Sequence, residues 1–226
     1  MHRLFLSLIA CFTLTVPLAA TPLRVVTLHS VLTEIVAEVG GTEVTVTGLI
    51  QPGVDPHTFN PTPLDVRRLA QAEIVFLSGF GLEPYLDKLV ANSGTQALLV
   101  RACEAIRDPV HSACRHAPHD QGHDSAEIDP HWWHGLDNMR AVTLQVRDAL
   151  VARRPAAREA LAARAAAYLA QLDALAAWAQ TEIAALPPAR RQLVTSHDAF
   201  GYLARDYGFT VHPLQGVNPE AEPNAR

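Results

Sequence analysis

The sequence predicts an α/β protein in which parallel sheet is covered by helices. Three observations carry that prediction. Short β-type runs alternate with helical patterns through the first half of the chain. One long stretch, 156–186, holds neither Gly nor Pro and is dominated by Ala, Leu, Arg, Gln and Glu, which favour helix. After Pro187-Pro188 the alternation of strand and helix resumes. Strands joined by helical crossovers pair in parallel and carry helices on both faces of the sheet.

The elements follow in order. Residues 1–20 have the layout of a secretory signal peptide: a basic start at Arg3, an apolar run over 4–18, and small residues at Ala19-Ala20. A lipobox ending at Cys11 is the competing reading, but cleavage there would leave an apolar stretch behind it. Cleavage near Ala20 and residence in the periplasm are expected. No later segment is long and apolar enough to span a bilayer, so no stable membrane insertion is expected after cleavage. The formal charge of −5 and the lack of a basic run argue against a nucleic-acid partner.

Strands are expected at 24–28, 43–50, 73–77 and 97–100, where β-branched and other apolar residues cluster between turn signals. Ser30 is placed to cap a helix over 30–39 that Gly40-Gly41 would end. Thr62-Pro63-Leu64-Asp65 reads as a capping Thr, a first-turn Pro and an acid three residues after the cap, opening a helix to Gln71. Another helix is expected over 83–91. The pattern then fails over 103–128, a long loop holding His111, His116, His119 and His123. Cys103 and Cys114 flank its start. In an oxidising compartment they form a disulfide, stay as two thiols, or lend Cys114 to the neighbouring histidines as a metal ligand.

A helix is expected over 137–151, and Pro155 opens the longest one, through 186, a rod of roughly 46 Å. Leu161, Tyr168, Leu172 and Leu175 give it one apolar face. The lack of sustained heptads favours packing within its own chain over a coiled-coil dimer, and a monomer is expected. Beyond it come a strand at 192–195, a helix at 198–207 and a strand at 209–211.

Three histidines fall at loop–helix junctions. His57 follows the second strand in Gly53-Val54-Asp55-Pro56-His57. His131 lies in Asp129-Pro130-His131-Trp132-Trp133-His134 before a helix, and His197 follows a strand in Thr195-Ser196-His197-Asp198. In open parallel sheets, ligands bind beyond the carboxyl ends of the strands. Imidazole is the commonest ligand for zinc-type ions. The three lie 74 and 66 residues apart, so only the fold can bring them together.

These segments resemble the solute-binding proteins of zinc and manganese ABC importers, the cluster A-I family. The resemblance rests on 53–57 with the helix and strand after it, on Asp129-Pro130-His131-Trp132, on 195–202, and on Glu220-Ala221-Glu222-Pro223. It implies two α/β lobes, 21–154 and the region from 187, joined by one rigid helix over 155–186. It implies a metal between the lobes held by His57, His131 and His197. The family's fourth ligand is a late carboxylate. Neither Glu220 nor Glu222 matches its position, so the resemblance implies an incomplete second lobe. The expected function is capture of Zn2+ in the periplasm and delivery to the membrane permease of an ABC importer. Three imidazoles favour zinc over the oxygen-loving Mn2+, which is the alternative cargo. His134, three residues after His131, is a candidate accessory ligand, as are His111, His116, His119 and His123. His29 reads as a turn residue. Trp132 and Trp133 wall the site or pack the core. A zinc-dependent hydrolase is the rival class, but no Glu stands near a histidine as the His-Glu-x-x-His general base does. No catalytic residue is assigned.

Overall fold

A computed structural model of the chain describes residues 21–111 and 128–216. The expected signal peptide with Cys11, the loop residues Cys114, His116, His119 and His123, and the late Glu220 and Glu222 lie outside the described residues.

Strand β1 (Leu23–Thr27) sits inside a four-stranded parallel sheet between β2 (Val44–Gly48) and β3 (Ile74–Leu77), with β4 (Leu98–Arg101) beyond β3. Val25 stands opposite Val46 on one side and Ile74 on the other. All four residues of β3 are buried, as a strand covered on both faces requires. Successive side chains point to opposite faces, so one apolar run feeds two cores. Val25, Ile74, Phe76 and Val100 meet α1 (Ser30–Gly40), α4 (Leu136–Arg153) and α5 (Arg158–Ala184) through Leu32, Ile35, Val142, Val146 and Leu161. Val26, Val75 and Leu77 meet α2 (Pro63–Gln71) and α3 (Leu86–Ser93) through Leu69, Leu86 and Leu89.

The helix ends show where local reading succeeds. The reciprocal cap at α2 is present: the Thr62 hydroxyl accepts from Asp65 N, and the Asp65 carboxylate accepts from Thr62 N at 2.9 Å. At α1 the cap is His29 rather than Ser30, with His29 Nδ1 accepting from Val31 N at 3.3 Å. Helix α3 starts at Leu86, not at residue 83, because Glu83 turns inward to accept from Ser78 N (2.7 Å) and Gly79 N (3.0 Å). The long helix opens with a short 3-10 turn at Pro155–Ala157 and then runs 27 residues as α5. Its buried stripe is Leu161, Ala165, Tyr168 and Leu172, whereas Leu175 is exposed.

A second, two-stranded parallel sheet pairs β5 (Gln192–Thr195) with β6 (Thr210–Pro213), connected by α6 (Gly201–Tyr207). The last helix begins three residues later than expected from Asp198, whose backbone N–H is taken by the carbonyls of Gln215 and Gly216. Val194 and Leu214 are 70% and 67% exposed. Tyr202 of α6 is wholly buried and shares one core cluster with Trp132 and Met139. Among the described residues, no helix is long and apolar enough to cross a membrane.

Candidate metal centre

His57 is set by the loop after β2. Gly53 turns the chain at a φ of 82°, a left-handed conformation that glycine adopts without strain. Asp55 then caps a single 3-10 turn, Pro56–Thr58, its carboxylate accepting from His57 N at 2.9 Å. His197 follows β5 directly, and the Thr195 hydroxyl donates to the His197 carbonyl at 2.8 Å. His131 opens the turn before α4 and is 3% exposed.

The three rings converge. His57 Nε2 lies 3.0 Å from His131 Nε2, and His197 Nε2 lies 3.3 Å from it. One ligand nitrogen from each of the three falls within 4.8 Å of the other two. For tetrahedral bonds near 2.0–2.1 Å, ligand nitrogens stand about 3.4 Å apart, so small ring rotations suffice to seat one ion.

Asp129 fixes the central histidine. Its Oδ1 accepts from His131 N at 2.9 Å and pairs with His131 Nδ1 at 2.7 Å, both groups buried. With its proton on Nδ1, the ring presents a bare Nε2 to the other histidines. A carboxylate behind a ligating imidazole also raises its basicity. Sequence reading placed Asp129 in the motif without giving it this role; the available signal was an acid two residues before the histidine.

The electrostatics favour neutral rings. Burial, with the nearby His131 ring adding to it, lowers His57 from 6.5 to about 4. The same two causes pull His197 below its ordinary value. At neutral pH both lone pairs are therefore available to a metal.

The remaining candidates are distributed around this centre. His134 is not one of the three converging rings. It stacks on Phe200 with centroids 4.5 Å apart, and burial first, then His131, lowers it to about 4. His29 caps α1 and stacks on Trp133 at 4.2 Å. The two tryptophans divide the roles expected of them: Trp132 is fully buried core, and Trp133 lies against the His131 ring at 5.3 Å. His111 is exposed and bridges Ile128 through the backbone, so the loop's base is closed by main-chain pairing. Cys103 is half-buried, and its prospective partner Cys114 lies outside the described residues.

Known proteins share this architecture. The chain is 34% identical over 201 residues to the zinc-binding protein TroA of Treponema pallidum, covering 89% of this chain and 62% of TroA. It is 31% identical over 200 residues to the manganese-binding lipoprotein MntA of Bacillus subtilis, covering 88% of this chain and 63% of MntA. The chain thus spans less than two thirds of the length of these relatives. The solved structure of T. pallidum periplasmic TroA superposes with a TM-score of 0.77 at 32% identity, over 91% of this chain and 71% of that one. The profile of the zinc-uptake complex component A, periplasmic, matches residues 25–226. The chain belongs to that family, one of solute-binding proteins and not of enzymes.

Proposed function

We propose that this chain captures Zn2+ outside the cytoplasm, in the periplasm, and hands it to the membrane permease of an ABC importer. His57, His131 and His197 are the ligands, with Asp129 behind His131. Residues 21–154 and the region from 187 act as two lobes, and α5 within 155–186 joins them. The observation that carries the reading is the convergence of three imidazole nitrogens within 4.8 Å, from segments far apart in the chain. Family membership supports the transport role. The donor set supports zinc, because neutral imidazoles suit it better than they suit Mn2+. Manganese remains the second reading, since a similar protein is named for it. Zinc taken up here is cargo, so the site has to release it as well as hold it.

Competition titration of Zn2+ against a chelator tests the assignment. Replacing His57, His131 or His197 singly by Ala should weaken zinc binding by more than the roughly 10–100-fold typical of losing a residue behind a ligand. Wild-type affinity in any of the three variants would remove that residue from the site. Tighter binding of Mn2+ than of Zn2+ at equal pH would make manganese the cargo.

A further inference from the structure

We infer that Tyr202 is a positioning residue for metal capture, because its hydroxyl ties the segment carrying His197 to Asp129, the residue that orients His131. The inference rests on the histidine site proposed above.

Asp129 is 1% exposed, and all but one of its polar atoms are engaged. Its Oδ1 holds the His131 main chain and ring. Its N–H donates to the Val110 carbonyl at 2.8 Å. Its own carbonyl accepts the Tyr202 hydroxyl at 3.0 Å, across 73 residues of chain. Its Oδ2 makes no hydrogen bond among the described residues and faces Gly201. A Cβ at residue 201 would fall 2.7 Å from that oxygen and 2.9 Å from Val110 Cγ1, so the start of α6 is pressed against the carboxylate.

The rest of α6 is clasped to the same surface. The Arg205 guanidinium lies 5.3 Å over the Tyr202 ring and donates to the Asp108 carbonyl at 2.8 Å. Phe200 stacks on His134. His197 stands five residues before Tyr202, so the clasp fixes where its ring can reach. Metal–nitrogen bonds tolerate only about 0.2 Å of error. A displacement of α6 beyond what ring rotation can absorb would therefore spoil the 3.3 Å approach of His197 to His131.

An ordinary core tyrosine would act through its ring. A positioning tyrosine acts through its hydroxyl and only when His197 is present. Tyr202→Phe in the full chain keeps the ring and removes the hydroxyl. With Zn2+ alone as probe, we expect its dissociation constant to rise roughly 3- to 10-fold, the size of one lost hydrogen bond, through faster zinc release. In a His197→Ala background the same change should alter affinity by less than about 2-fold, since the positioned ligand is gone. Unchanged affinity in Tyr202→Phe, or an equal loss in both backgrounds, would overturn the inference. Wild-type affinity in His197→Ala alone would instead overturn the histidine site on which it stands. Should Tyr202→Phe not fold, Arg205→Met loosens the clasp from the surface. The same cycle should then show a loss of roughly 2- to 5-fold that depends on His197, and no loss would overturn the inference.

Discussion

At the scale of single residues, the site gathers buried and half-buried histidines that resist protonation. His29, His57 and His134 are each lowered from 6.5 to about 4, with burial as the first cause in every case. A histidine with a depressed folded-state value stays neutral while its unfolded counterpart takes a proton. Its contribution to stability is complete above about pH 6.5 and is lost as pH falls toward 4. His29 is the one to test, because it caps α1 and is not one of the three converging histidines, although the His131, His134 and His57 rings add to the lowering by burial. His29→Asn keeps a capping acceptor and removes the titration. Between pH 7 and pH 4.5, the metal-free wild type should lose roughly 2–3 kcal/mol more than His29→Asn in urea unfolding. Equal losses would mean that His29 titrates normally. Proton competition for His57 in zinc binding should set in well below the ordinary imidazole range, for the same reason. The three converging histidines were legible in the sequence, each marked by its place beside a strand or helix. The roles of Asp129 and Tyr202 were not, because their contact spans 73 residues and leaves no local spacing to read.

At the scale of elements, legibility follows how local the deciding interaction is. The cap of α2 needs only residues 62–65, and sequence and structure agree on it. The starts of α1 and α3 depend on where His29 and Glu83 are drawn by the packed loops, and there the reading slips by one to three residues. The stripe on α5 was read from its period, but periodicity cannot say how far the covering surface extends, and Leu175 lies beyond it. The α2 cap is directly testable. The Thr62 hydroxyl bonds the Asp65 carboxylate at 2.7 Å, and Asp65 in turn pairs with Arg68 at 3.0 Å. Thr62→Ala should destabilise the metal-free protein by about 1 kcal/mol in denaturant titration. A change under about 0.3 kcal/mol would show that α2 is held by tertiary packing alone.

At the scale of the whole molecule, a metal held by the three histidines would tie the small sheet to the larger one. The four-stranded sheet is covered on both faces, whereas β5 and β6 pair only with each other among the described residues and carry exposed Val194. The small sheet is anchored to the larger body through α6 and through His197. A region with few buried contacts opens at low free energy, ahead of global unfolding. A ligand that needs His197 in place binds only the closed form and so suppresses that opening, by up to roughly 100-fold at a hundred times the dissociation constant. Hydrogen exchange followed by mass spectrometry should therefore show zinc slowing exchange over 192–213 strongly. Protection should also appear around residues 55–58 and 131. Exchange in the middle of α5, remote from the ligands, should change little. Protection confined to the His57 and His131 segments, with 192–213 unaffected, would mean that His197 does not join the metal. In that case the small sheet is held by α6 packing alone, and the site has two histidines instead of three.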